Sequence, residues 1–146
     1  MDDIVSDEAD AAITGCVQCP GHALDHSLYR SELAGIYAVL TIATKLCEFY
    51  HIREGNITIG CDGLSALSAS IQDDPFLASD ISNFDLISAI YTLRRSTSLA
   101  YEAHFVKGHQ DNTSTELDYW ATLNVQMDQL AKKHMAYVTS LPRFFQ

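Results

Sequence analysis

The sequence predicts an α/β fold, a sheet covered by helices, in one domain over residues 1–146. Three observations predict it. A 3.6-residue apolar period runs through residues 28–50 with Leu33, Ile36, Tyr37, Leu40, Ala43 and Cys47 on one face. Short β-branched or aromatic runs at residues 57–61 and 101–106 alternate with further helical patterns. A chain of 146 residues, 47% apolar and 19% charged, can bury one core without disulfides or metal as staples.

Residues 11–17 predict a strand. Ser27 is placed to cap the long helix, and Gly55 follows its end. Residues 57–61 form the next strand, closed by Asp62 and Gly63, and hand over to a short Ser/Ala-rich helix. Asp73, Asp74 and Pro75 break the chain. Ser82 and Asp85 have capping-box spacing ahead of Phe84, Ile87, Ile90 and Tyr91, so a second full helix ends near Arg95. A strand over residues 101–106, a polar loop, and a last helix marked by Trp120, Leu123, Met127, Leu130, Ala131 and Val138 complete the order.

The formal charge of −10 opposes tight, unaided nucleic-acid binding, because phosphate affinity comes largely from lysines and arginines that displace counterions. Met1 is followed by Asp2 and Asp3, opposite to the basic start of a signal peptide. Four cysteines without such a signal predict reduced thiols. The longest mostly apolar stretch, residues 33–43, falls short of the roughly 18 to 20 residues that span a bilayer. An intracellular protein, cytoplasmic or nuclear and without a membrane partner, is expected.

The stretch "CVQCPGHALDHSLYRSEL" raises a choice between a zinc site on Cys16, Cys19, His22 and His26 and a strand that runs into a helix. Only Pro20 and Gly21 separate Cys19 from His22, and Pro20 stiffens that link. Tetrahedral closure over so short a span is difficult, which favours the strand and helix.

Three carboxylates lie at the rims of elements. Glu32 sits in the first turn of the long helix beside Leu33, one turn before Ile36. Asp62 ends a strand, where open α/β sheets place ligand-binding groups. Asp128 follows Met127, one turn after Asn124. Taken singly, each has a plain structural role: a helix-start acid favoured by the dipole, a cap, and an i,i+4 partner of Lys132. His109 alone would be an exposed loop histidine, and Asn124 a surface amide. Taken together, they offer hard oxygen ligands from separate elements. A phosphodiester is hydrolysed at such an acidic site with two divalent ions roughly 4 Å apart, Mg²⁺ or Mn²⁺, that activate water and stabilise the leaving oxygen. A loop histidine can relay a proton or assist product release.

Four stretches in this order, "YRSELAGIYAVL", "IGCDGLSAL", "FVKGHQDN" and "LNVQMDQLAKK", resemble the ribonuclease H domains, especially those attached to the reverse transcriptases of retroelements of the non-LTR type. The resemblance covers about residues 11–136. It implies a ribonuclease H-like fold with a mixed sheet flanked by helices, and Mg²⁺-dependent endonucleolytic hydrolysis of the RNA strand of RNA/DNA hybrids. By resemblance, Glu32, Asp62 and Asp128 are catalytic metal ligands, His109 is the histidine of a flexible loop and Asn124 contacts substrate. The hybrid and a reverse transcriptase domain are the implied partners.

The family begins with a strand that carries a first catalytic aspartate, and no such strand is found. In "IVSDEADAAITGCVQC", Ile4 and Val5 read as the tail of the second strand, followed by a turn over residues 7–10 and the third strand. Asp7 lies only 25 positions before Glu32, too few for two strands and a long connection. Low or absent activity is therefore expected, together with an open sheet edge able to recruit another chain or a second copy. The alternatives are a non-catalytic ribonuclease H-like interaction module, a decayed retroelement fragment, or a general α/β binding domain.

Overall fold

In the computed structural model, which describes residues 13–74, 82–108 and 116–141, the long apolar period becomes helix α1, Leu28–Phe49. Ser27 caps it, its hydroxyl accepting the Arg30 N–H at 3.1 Å. At the other end His51 adopts φ 57°, and the Ile52 N–H reaches back to the Cys47 carbonyl at 2.8 Å. That six-to-one closure satisfies a carbonyl the helix leaves open, with a histidine in the left-handed position that glycine commonly takes. Gly55, at φ 144°, serves the turn into the next strand.

Strand β1, Asn56–Cys61, pairs in parallel with β2, Ala100–Phe105, with Ile57 opposite Tyr101 and Ile59 opposite Ala103. Parallel neighbours cannot be joined by a tight hairpin. The crossover is supplied by α2, Leu64–Ser70, and α3, Phe84–Arg95. Leu33, Ile36 and Leu40 of α1 meet Ile59, Ala66, Leu67, Leu86, Ile87 and Ile90 in one core on one face of the sheet. A last helix, α4, Tyr119–Ser140, buries only Ala121.

Arg30 fastens the chain ahead of α1 to the start of α3. Its guanidinium donates to both Asp85 carboxylate oxygens at 2.9 and 2.6 Å, to Asn83 Oδ1 at 2.9 Å and to the Pro20 carbonyl at 2.8 Å. The planar fork suits a carboxylate bidentately, and it holds the Asp85 carboxyl below its ordinary value. The capping box expected from Ser82 and Asp85 is consequently not formed. Asn83, at φ 70°, is the N-cap without a side-chain cap bond, and Asp85 is committed to Arg30.

One further expectation is corrected. Residues 13–17 are irregular, not a strand, with Ile13 and Val17 exposed at 73% and 59%. A strand needs a neighbour's ladder, and among the described residues this stretch has none. Cys16 Sγ instead faces the Leu130 carbonyl of α4 at 3.8 Å. Among the described residues the sheet has two strands, paired in parallel, and most of the residues expected to make it mixed lie elsewhere in the chain. Ile4, Val5, the turn over residues 7–10, and the start of the expected third strand lie outside the described residues. No helix is long and apolar enough to cross a membrane among the described residues.

Leu40 is fully buried, so Leu40→Ala is expected to lower the unfolding free energy by about 3 kcal/mol, read from the urea midpoint at unchanged slope. Asp85 supplies a pH signature. A carboxyl depressed in the folded state contributes stability above its unfolded value, here 3.8, and that contribution is lost as pH falls through the folded value. The stability difference between wild type and Asp85→Asn should stay constant from about pH 7 to about pH 5 and shrink below about pH 4. Because Asp85 is 61% exposed at its side chain, added salt should diminish the difference.

Candidate functional site

Asp62 follows directly on β1, at the carboxyl end of a parallel strand, where the sheet opens towards its connecting loops. Glu32, on α1, reaches the same end. Its carboxyl lies against Gly63, so closely that a Cβ there would overlap both carboxylate oxygens. Burial raises the Glu32 carboxyl above its ordinary value, and the negative charge of Asp62 raises it further. The backbone approaches Asp62 as well, since a Cβ on Gly108 would stand 3.0 Å from Asp62 Oδ2. Cys61 completes the rim. Burial pushes its thiol up, the Gly63 N–H donating to Sγ at 3.3 Å opposes that, and the charges of Glu32 and Asp62 add to the rise.

Helix α4 brings the next group. A Cβ on Gly60 would stand 2.6 Å from Trp120 Cε3 and Cζ3, so the indole lies on β1 where the strand has no side chain. His104, opposite Gly60 in register, stacks on the indole at 4.6 Å between centroids and 24° between planes. One turn further along α4, Asn124 Nδ2 donates to Asp62 Oδ2 at 3.3 Å. Glu32, Asp62 and Asn124, from α1, the end of β1 and α4, are thus joined.

Asp128 is one turn beyond Asn124 and is engaged with Lys132 Nζ at 2.6 Å, half-exposed. Among the described residues no three His, Cys, Asp or Glu side chains stand together as a metal-holding group. His109 lies outside the described residues. Two carboxylates from different elements, one raised by the charge of the other, are a donor set that a hard dication relieves. Glu32 and Asp62 are the residues that would hold one.

The opening cysteine and histidine pairs serve other ends. Cys19 Sγ faces the Pro20 carbonyl, His22 Nδ1 accepts the Leu24 N–H at 3.4 Å and caps a 3-10 turn at Ala23–Asp25, and all four cysteines are free thiols. Two surface hollows, of about 230 Å³ beside Thr44 and His51 and about 570 Å³ beside Gly21 and Arg30, are lined by other residues than Glu32 and Asp62.

Sequence reasoning found the acids and missed the residues that let them approach. Gly63 and Gly108 stand against the two carboxylates, and Trp120 with His104 docks the helix of Asn124. A glycine directly after a strand-ending aspartate, and one inside a strand between Ile59 and Cys61, were the available signals of close approach. The chain matches no family model, no curated protein and no solved structure.

The electrostatics of the pair yield three expectations. With its folded value raised, Glu32 binds more protons in the native than in the unfolded state between that value and 4.5, so stability falls as pH rises through this window. Glu32→Gln should therefore stabilise the fold at pH 7, with the gain vanishing below about pH 4 in urea titrations. Carbon-detected titration of the Glu32 carboxyl should show Asp62→Asn moving it down towards, but not to, its ordinary value, since burial remains. Gly63→Ala should displace the Glu32 carboxylate and abolish its coupling to Asp62 in the same titration.

Proposed function

We propose that this chain is a ribonuclease H-like domain of the kind attached to retroelement reverse transcriptases, whose intact form hydrolyses the RNA strand of RNA/DNA hybrids with Mg²⁺. The observation that carries the reading is the meeting of Glu32, Asp62 and Asn124, three residues named by the resemblance and separated by 30 and 62 positions in the chain. The four resembling stretches supply the order of elements, and the open rim at the end of β1 suits a long polymer better than an enclosed pocket would.

In this reading Glu32 and Asp62 would hold a divalent metal, which would supply activation of water and stabilisation of the leaving oxygen. Asn124 orients the Asp62 carboxylate and borders the path of substrate. Asp128 would serve as a third ligand only on leaving Lys132, and an exposed i,i+4 pair of this kind is worth only about 0.3 to 0.5 kcal/mol. His109 assists turnover by analogy with the family's loop histidine. Three carboxylates would bind a second metal poorly, so this reading expects slow cleavage. The charge of −10 leaves the grip on the hybrid to another domain, the reverse transcriptase being the implied one.

A second reading, a non-catalytic ribonuclease H-like interaction module or a decayed retroelement fragment, is favoured by the commitment of Asp128 to Lys132. Incubating the 146-residue chain with a labelled RNA/DNA hybrid and Mg²⁺, beside a Glu32→Gln, Asp62→Asn double variant, separates the two. The enzymatic reading expects slow cleavage of the RNA strand that the double variant lacks. Equal signal from both proteins, or none from either, supports the module. Unchanged Mg²⁺ affinity in Asp62→Asn would remove that residue from the metal site.

A further inference from the structure

Among the described residues, the two strands leave rows of backbone groups without a strand partner. In a parallel ladder the N–H and C=O of one residue point to the same neighbouring strand. The Ala100 N–H bonds the Gly55 carbonyl at 2.9 Å, and the Val106 N–H bonds the Cys61 carbonyl at 3.0 Å. With the observed register, the odd-numbered residues of β1 face β2. Asn56, Thr58 and Gly60 therefore turn their N–H and C=O groups away, and among the described residues those groups meet no other strand. Parallel strands are ordinarily buried within wider sheets. An unpaired row is a template for another chain.

β2 has an outward row as well, at Tyr101, Ala103 and Phe105. Charge distinguishes the two edges. The row on β1 runs into Asp62 with Glu32 beside it, and neither carboxylate has an ion pair among the described residues. A second copy is a poor occupant. Antiparallel pairing of β1 with itself about Thr58 would set Glu54 across from Asp62 at both ends, and each chain carries −10.

We infer that the open edge of β1 takes up an extended segment of a partner polypeptide, paired to Asn56, Thr58 and Gly60 and carrying a lysine or arginine beside Asp62 and Glu32. The backbone row supplies affinity in any sequence, and the carboxylate pair selects for positive charge. This goes beyond the nuclease reading and does not require it, since the contact needs neither metal nor hydrolysis.

The test uses the 146-residue chain in EDTA at low salt with two fluorescein-labelled heptapeptides, one alternating lysine and valine and one alternating glutamate and valine. Fluorescence anisotropy should show the lysine peptide binding at least tenfold more tightly than the glutamate peptide. Bound lysine peptide should slow amide hydrogen exchange at Asn56, Thr58 and Gly60. Thr58→Pro removes an N–H that faces away from β2, so it spares the existing ladder and should weaken binding tenfold or more. Asp62→Asn should weaken it several-fold. Equal binding by a folded Thr58→Pro protein would overturn the inference. So would slowed exchange at Tyr101, Ala103 and Phe105 instead, or a dimer of the free chain that Thr58→Pro dissolves. Should that variant not fold, the exchange pattern of the wild type decides the matter alone.

Discussion

The parallel pairing of β1 with β2 is the constraint on which the rest of the molecule depends. Antiparallel strands would be closed by a few residues, but parallel ones force the chain to return to the starting end of the sheet. That return, between Cys61 and Ala100, contains α2 and α3. Both helices bury apolar faces against α1 and Ile59, so the crossover and the core are one feature. The same pairing sets the carboxyl ends of both strands side by side, and Asp62 emerges there next to Gly108.

The fold and the carboxylate pair pull against each other. A helix start that carried no acid at position 32 would pack against Gly63 without bringing a partly desolvated charge near Asp62. The molecule tolerates this because the opposing contribution is local, whereas the fully buried Leu33, Leu40 and Ile90 act across the whole domain. Arg30, two residues earlier on α1, lies in the reverse situation. Its charge is satisfied on every side by Pro20, Asn83 and Asp85. Two charged groups within one turn thus stand in opposite circumstances, one paired and holding segments together, the other partly desolvated beside a second carboxylate.

The α/β class, α1, both strands and α4 were legible because period and β-branching are local properties of sequence. Register, parallel sense and the companions of each acid were not, since they depend on which distant segments meet. Asp85 illustrates the limit. Its spacing from Ser82 spells a capping box, yet a guanidinium 55 positions away takes the carboxylate. Residues 13–17 illustrate another: a β-rich composition yields a strand only where a ladder is available, and among the described residues none is offered. At the site, Glu32, Asp62 and Asn124 were named from motif order and are found together, while Asp128 is engaged along its own helix and His109 lies outside the described residues.

Helix α4 touches the body of the protein chiefly through its first two turns, where Ala121 is buried, Trp120 rests on Gly60 and Asn124 meets Asp62. Its remaining turns extend the helix to 22 residues, about 33 Å, with little buried area to hold them. Such an element opens at a lower free energy than the core beneath it. Asp128 lies beyond the docked turns, so a ligand that relied on it would bind only the closed population, with its apparent affinity scaled by that fraction. A partner that clamps α4 from outside would tighten the site without touching a single one of its ligands.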